Sequence, residues 1–229
     1  MLAVTAGFSA STFEGKIRLK TTGQERPSRR SGGDSSMIAT YFFKGGLLRM
    51  ENEADGGKVM AAMIVDPAKR EMTILMIEQK RYMVRQMPAT QPATGTAAPG
   101  SDVEFVRTGE TETILGYKCE KILVKNKNGE SEIWGAEGLG TFQSMGGGNP
   151  MGRPAPKSAW EASLAEHGFF PLRMVHKDKS GKEVMRMEAV SVDKQSLPDS
   201  TFEPPVDFKK FEMPSIPGLN GMFGGGKGE

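Results

Sequence analysis

The sequence has little of what catalytic and metal sites are usually built from. Its 229 residues include one cysteine, Cys119, and two histidines, His167 and His176. A single cysteine cannot form an intramolecular disulfide, so it indicates neither an oxidising nor a reducing compartment, and a buried packing role suits it better than a nucleophile's. Neither histidine lies in a recognisable nucleophile or metal motif. The sequence therefore argues against an enzyme and predicts no catalytic residue and no cofactor.

An excess of charge and long apolar runs are also missing. Lys and Arg total 30 against 28 for Asp and Glu, which leaves a net charge of +2. So small a charge gives little long-range attraction for a polyanion, and nucleic acid is not an expected partner. No apolar run approaches the ~20 residues that a helix needs to cross a bilayer, so no transmembrane span is expected.

What the sequence does have is a regular series of turn signals, spaced about ten residues apart between residues 37 and 87. Gly45-Gly46 interrupts one apolar stretch, and Asp66–Lys69 separates two others, residues 59–65 and 72–77. Short runs bounded in this way are typical of an antiparallel β-meander. The last two runs are apolar at successive positions, so we expect both faces of those strands to be covered.

Strand signals continue on either side of this meander. Phe13, Gly15, Ile17 and Leu19 alternate with charged residues, which predicts a strand with one buried face. In the second half of the chain we expect strands over residues 103–106, 113–117, 119–125 and 130–134, with a tight turn at Asn126–Gly129, and a last hairpin formed by residues 169–177 and 183–192.

One segment, Ser158 to Glu166, has the pattern of a helix. Ser158 can act as the N-cap, with Glu161 three residues later as its capping-box partner. Trp160 and Leu164 are four residues apart and would share a face. Gly168 can end the helix.

The domain organisation follows from composition. Residues 1–11 are small and apolar, and we interpret them as the remnant of a secretory signal peptide, which predicts export. Residues 12–213 are expected to form one β domain, and the Gly-rich residues 214–229 a disordered tail. Three stretches rich in Gly, Pro, Ser or Thr are predicted to be flexible loops: residues 21–36, 88–101 and 143–157.

Six short strings stand out in order along the chain: Phe13–Ile17, Lys44–Met50, Ile64–Asp66, Lys80–Tyr82, Ile114–Lys121 and Phe202–Pro205. Taken together, they resemble a bacterial family of exported proteins, domain of unknown function 4412. The resemblance spans about Phe13 to Met213 and implies a fold similar to that of the periplasmic lipoprotein carriers. That fold is mainly β, a single curved antiparallel sheet or open half-barrel, here of roughly 9–11 strands, with one or two helices on its concave face.

The 16 methionines need an explanation, because many of them fall on predicted strands. Flexible, polarizable thioethers suit a surface that accepts apolar ligands of variable shape, whereas the filling of an irregular core is an equally common use. A third interpretation is a thioether copper site made by Met185 and Met187 with His176. The residues predicted to face an apolar ligand are Ile64, Met72, Ile74, Met76, Trp134, Met174 and Met187.

The leading hypothesis is a non-enzymatic protein of the periplasm or outer envelope. It would bind an apolar ligand, a lipid or a lipidated partner in the groove of the half-barrel, as the carrier-like fold implies. The alternatives are a structural or interaction module with a packed core, which contacts another envelope protein, and the Met-based copper-binding protein.

Overall fold

In the part of the chain that the structure describes, twelve β-strands form one sheet, and a short 3-10 helix, Asp199–Phe202, follows the eleventh strand. The computed structural model describes residues 13–23, 35–53, 57–87, 104–127, 129–143, 161, 164–165 and 167–212. The strands are β1 (Gly15–Gly23), β2 (Ser35–Lys44), β3 (Leu47–Glu53), β4 (Val59–Asp66), β5 (Glu71–Met76), β6 (Arg81–Gln86), β7 (Glu104–Ile114), β8 (Tyr117–Asn126), β9 (Gly129–Glu137), β10 (Phe169–Asp178), β11 (Glu183–Lys194) and β12 (Lys209–Lys210).

The strand order is β12-β6-β5-β4-β3-β2-β1-β11-β10-β9-β8-β7. Two meanders, β1–β6 and β7–β11, are therefore joined where β1 pairs with β11. All neighbours are antiparallel except β12, which runs parallel to β6. The sheet is curved and does not close, which confirms the predicted fold class. The strand number exceeds the expected 9–11 because the two-residue β12 is held by pairing with a distant strand, and no local pattern marks it.

Tight turns set the register of both meanders. Gly45 and Gly46 have φ values of 55° and 87°, as the preferred two-residue hairpin turn requires, and the predicted turn is confirmed. The predicted hairpin between β8 and β9 is confirmed by the pairing of Asn126 with Gly129. The predicted strand 113–117 is wrong, because Leu115 and Gly116 form a similar turn with φ values of 50° and 85°.

The larger apolar cluster lies on the concave face. It includes Ile17 of β1, Leu48 of β3 and Ile122 of β8, residues from strands far apart in the sheet order. Side chains from such distant strands can share one cluster only on the side toward which the sheet curves. Phe13, Ile17 and Leu19 are all buried there, so the alternation predicted for the first strand is confirmed.

A second, smaller cluster covers the convex face of β4 and β5. Ala62, Ile64 and Leu75 pack there against Leu197 and Phe202, from the segment that follows β11. Alternate residues of β4, Met63 and Val65, belong to the concave cluster instead. The expectation of cover on both faces is therefore confirmed for β4, whereas β5 is buried at Leu75 and stays partly exposed at the residues that alternate with it.

The helix predicted at Ser158–Glu166 lies partly outside the described residues, which leave out Ser158 and Trp160. Glu161, Leu164 and Ala165 are helical, and Leu164 is fully buried in the concave cluster. Gly168, with φ of 69°, donates its N–H to the Ala165 carbonyl at 3.2 Å, as expected of a glycine that ends a helix. The segments predicted at 1–11, 88–101 and 214–229, and most of those at 21–36 and 143–157, also lie outside the described residues.

Candidate functional site

Sulfur-containing side chains line one end of the concave face. Ile74 of β5 lies directly opposite Met63 of β4 on one side and Met83 of β6 on the other. Directly opposite residues of antiparallel strands share a face, and so do alternate residues along a strand, which adds Met72 and Met76 to the same side. We call Met63, Met72, Ile74, Met76 and Met83 the methionine face.

Burial differs across the methionine face. Met63 and Met83 are 8% and 4% exposed, whereas Met72, Ile74 and Met76, all on β5, are partly exposed. Thr73 and Leu75, which alternate with them, point to the opposite side of the sheet. The period-two pattern of β5 therefore places its most flexible apolar side chains on the concave side, with part of their surface accessible.

A cavity of about 280 Å³ opens where this face reaches the edge of the sheet. It exists because β12 pairs with β6 at only two positions, after which Phe211 donates its N–H to the Tyr82 carbonyl at 2.7 Å and the pairing ends. The Arg81 guanidinium lies 5.9 Å from the centre of the Phe211 ring. The residues that line the cavity are Met83, Val84, Arg85, Lys210, Phe211 and Glu212.

Ion pairs lie at this cavity and on the segment that leads to it. Lys210 Nζ lies 3.2 Å from Glu212 Oε1. Lys80 Nζ lies 2.8 Å from Asp207 Oδ2, and that hydrogen bond raises the pKa of Lys80 and lowers the pKa of Asp207. This second ion pair helps to hold the C-terminal segment against β6. The cavity thus has an apolar wall, formed by Met83 and its neighbours, and a polar rim.

The structure brings most of the predicted ligand-facing residues to the concave side but not to one place. Met72, Met174 and Met187 pack in or against the concave cluster, with Ile74 and Met76 on the same face of β5 as Met72. Ile64 lies instead in the convex cluster. Trp134 is also misplaced: it is partly buried and touches the larger cluster, but it alternates with Ile133 and lies directly opposite Lys121 and Arg173, so its side chain points to the convex side. Lys121 Nζ lies 5.7 Å from its ring centre.

An aromatic cluster fills the middle of the concave face. Phe170 contacts Tyr41, Phe43 and Phe142, with ring centres 5.4, 5.8 and 5.7 Å away in near-perpendicular arrangements. Burial, with a smaller contribution from the charge of Glu161, raises the pKa of Tyr41 far above its ordinary value. This phenol is a neutral packing group. Strands β1, β2 and β3 lie between the methionine face and β11, which carries Met187.

Sequence reasoning missed the residues at the cavity rim. Arg85 and Lys210 carry no motif, and the position of Phe211 depends on the pairing of β12 with a strand far away in the sequence. Only Met83 had a signal, as one of the methionines on a predicted strand.

The cysteine and the two histidines, the side chains best suited to catalysis, are buried or make packing and hydrogen-bond contacts within the fold. Cys119 is fully buried, and burial raises the pKa of its thiol. The ring of His167 stacks 5.4 Å from that of Phe105, and Ser131 Oγ lies 2.9 Å from His176 Nδ1. Within the described ranges, His, Cys, Asp and Glu side chains do not come together in a group of three or more that could hold a metal ion.

Helices in the described part of the chain also fall short of what a bilayer requires. Not one of them combines the length and the apolar character of a membrane span.

The fold and the site together define a class, an open antiparallel half-barrel with an apolar concave face. The family model called domain of unknown function 4412 matches residues 13–208, and the chain belongs to this family. The predicted family resemblance is confirmed.

Solved structures with a similar fold share little sequence with this chain. An uncharacterized conserved protein from Thermus thermophilus is 9% identical, with 86% of this chain and 91% of that chain covered and a TM-score of 0.46. MucB, in its complex with MucA from Pseudomonas aeruginosa, is 11% identical over 84% of this chain and 56% of that chain, with a TM-score of 0.41. A domain assigned to outer membrane lipoprotein sorting, from Vibrio parahaemolyticus, is 8% identical. The match covers 85% of this chain and 91% of that chain, with a TM-score of 0.31. Curated protein sequences give no match.

Proposed function

We propose that this protein is a non-enzymatic binding protein of the cell envelope that holds an apolar chain, from a lipid or a lipid-modified protein, against the methionine face. The observation that carries the proposal is the cavity of about 280 Å³ at the end of that face. Unbranched thioethers adapt to apolar shapes without a fixed geometry, as a site for flexible chains requires. The cavity is slightly smaller than the ~300–1,000 Å³ of typical ligand sites, so it would hold only one end of a chain whose remainder lies along β5.

The charges at the rim support a ligand whose other end is charged. Arg85 and Lys210 place two cations at the cavity, and Glu212 places one carboxylate there. An apolar chain with an anionic or zwitterionic head group would bury its chain against Met83 and keep its head at the polar rim. Phosphate and carboxylate heads pair well with guanidinium and ammonium groups.

The first experiment is native mass spectrometry of the protein purified from a periplasmic preparation, followed by solvent extraction. A near-stoichiometric lipid would support the proposal and identify the apolar chain. A co-purifying acylated protein would support it too, and would show that the chain belongs to a lipid-modified protein. A mass equal to that of the bare polypeptide, unchanged after incubation with vesicles of total envelope lipid, would count against it.

A charge-introducing variant locates the bound chain. Met72→Asp combined with Met76→Asp should abolish retention, because a carboxylate on the methionine face opposes burial of an apolar chain. Arg85 and Arg81 lie directly opposite these two positions, so the new carboxylates have cross-strand partners and folding should persist. Met60→Asp is the matched control, since Met60 is 47% exposed on β4. Retention by the double variant would show that the chain binds elsewhere.

A second candidate function is an interaction module with a packed interior, which contacts another envelope protein. The aromatic cluster around Phe170 favours it, because it fills the centre of the concave face that a large ligand would occupy. Binding of an environment-sensitive dye distinguishes the two candidate functions, because an open apolar surface raises the dye's fluorescence and a packed interior does not. The Met72→Asp and Met76→Asp variant should lose that signal if the dye binds at the methionine face.

The envelope location is part of the proposal. It rests on the exported character that the resemblance to this family implies, and on the small apolar residues at positions 1–10, which have the composition of a signal-peptide end. Fractionation of cells that express the chromosomal gene, with detection of the protein by antibody, tests it. Recovery with cytoplasmic markers alone would contradict it.

A further inference from the structure

Three thioethers and an imidazole share one face of the β10–β11 hairpin. Met174 lies directly opposite Met187, and His176 lies directly opposite Met185. Directly opposite residues share a face, with Cβ atoms about 4.5–5.5 Å apart. Met174 and Met187 are buried in the concave cluster and Met185 packs against it, so all four side chains lie on the concave side.

His176 is the unusual member of this group. An imidazole among three thioethers on the core-facing side of a strand needs polar partners. Ser131, itself only 8% exposed, supplies one: its Oγ lies 2.9 Å from Nδ1. When Nδ1–H donates to that hydroxyl, Nε2 carries the lone pair, which is the form that binds a metal. A hydrogen bond of this kind commonly orients a histidine ligand.

The donor set is selective for one class of ion. Thioethers are neutral, soft ligands that prefer Cu(I), whereas Mg²⁺ and Ca²⁺ prefer oxygen, and Zn²⁺ is bound by thiolate, imidazole and carboxylate. On Zn²⁺, nitrogen and sulfur ligands lie at about 2.0–2.3 Å, and a Cu(I) site needs its ligands at a similar range. Side chains as flexible as methionine can reach that range from Cβ atoms on neighbouring strands.

We propose that His176, Met185 and Met187, with Met174 as a fourth donor, form a binding site for a soft monovalent metal ion, Cu(I). The site goes beyond the binding of an apolar chain and stands on a different part of the sheet. Strands β1, β2 and β3 lie between β11 and β4, the first strand of the methionine face. Failure of one proposal therefore leaves the other intact.

The test is an anaerobic titration of the full chain with Cu(I) in competition with a chromophoric Cu(I) chelator. We expect one equivalent of Cu(I) to be withheld from the chelator. In parallel, titration with Ag(I), a redox-inert analogue, should shift the methyl NMR signals of Met174, Met185 and Met187 and the imidazole signals of His176 at one equivalent. Absence of uptake, or shifts confined to other methionines, would overturn the proposal.

Variants assign the donors. Met185→Leu and His176→Gln should each weaken Cu(I) binding at least tenfold, while Met60→Leu, on exposed surface of β4, should leave it unchanged. Circular dichroism and thermal melting show whether each variant is folded, and the NMR titration of the unmodified chain does not depend on them. Equal affinity in both donor variants and in the control, or a preference for Zn²⁺ over Cu(I), would contradict the assignment.

Discussion

The convex face of the first half of the sheet, β1–β6, is covered differently from that of the second half, β7–β11. In the first half, the segment after β11 covers β4 and β5, where Ile64 and Leu75 pack against Leu197 and Phe202. In the second half, a row of directly opposite residues runs across β8 to β11: Lys121, Trp134, Arg173 and Glu188.

Ion pairs take the place of an apolar cover in the second half. Arg173 pairs with Glu112 at 2.8 Å and with Glu188 at 3.1 Å. Lys121 lies 3.2 Å from Glu110 and 3.7 Å from Glu132. These charges remain partly solvated and each contributes little stability.

The difference explains the sequence patterns of the two meanders. A strand covered on both sides must be apolar at successive positions, as Ala62–Val65 is, whereas a strand with one solvated face can alternate. The concave cluster is common to both halves, so it should carry most of the stability. The apolar cover on the convex face should stabilise mainly β4 and β5, and the ion pairs should add little to the stability of the fold.

The largest effect is expected where the two halves meet. Phe170→Ala removes a ring that is fully buried and packed against three other rings, so unfolding should become easier by about 3–5 kcal/mol. Urea denaturation followed by tryptophan fluorescence measures this. Val206→Ala, at a fully exposed position, is the control and should leave the midpoint unchanged. A loss below about 1 kcal/mol would show that the halves are stabilised separately.

A smaller and more local effect is expected from the convex cover. Phe202→Ala should cost about 2–3 kcal/mol, because Phe202 is 8% exposed and the site lies near solvent, where the structure can relax. Hydrogen exchange should accelerate in β4 and β5 more than in β8 to β10, since only the first two lose their cover. Equal acceleration throughout the sheet would contradict the local role of this segment.

The contribution of the second-half ion pairs to stability should depend on pH. The hydrogen bond from Lys177, with the charges of Lys177 and Lys121, lowers the pKa of Glu132 below its ordinary value of about 4.3. The unfolded chain therefore takes up a proton there at a higher pH than the folded chain does. The stabilisation is present above the ordinary value and is lost as pH falls through the lowered pKa.

Glu132→Gln tests this sign. The variant should be less stable than the parent by at most about 1 kcal/mol at pH 7, because the pair is partly solvated. The difference should shrink as pH falls below about 4. Denaturant midpoints of both proteins between pH 3 and 7 provide the measurement, and a difference that is constant across this range would rule out an electrostatic origin.

Much of the fold could be predicted because its signals are local. Gly45-Gly46 and Asn126–Gly129 have the residues that tight turns prefer, and the alternation from Phe13 to Leu19 needs only the period of a strand. The pairing of β12 with β6 could not be predicted, because it joins Lys209 to Arg81 across most of the chain.

The candidate site was predictable only in part, because some of its residues are brought together by pairing between distant parts of the chain. Period two places Met72, Ile74 and Met76 on one face of β5 from sequence alone. Which face of β4 points inward depends on the register between strands, so Ile64 could not be separated from its neighbour Val65. Arg85 and Phe211 come together only through the position of the C-terminal segment.

The smallest expected effect compares one turn from each half. The turn between β2 and β3 uses glycine at both left-handed positions, whereas the turn between β7 and β8 holds Leu115 at φ of 50° with 49% of its surface exposed. A left-handed conformation costs a leucine about 1 kcal/mol or more, and Asn-Gly is the preferred pair in such turns.

Leu115→Asn should therefore stabilise the protein by about 0.5–1 kcal/mol, and Gly45→Ala should destabilise it by a similar amount, since Gly45 has φ of 55° and open space around it. Leu115→Ala is the control, because alanine keeps the strain of the left-handed residue while it removes the exposed leucine. Thermal melting of the three variants ranks them. If Leu115→Ala stabilises as much as Leu115→Asn, the gain comes from removal of exposed apolar surface, and the two turns do not differ in backbone strain.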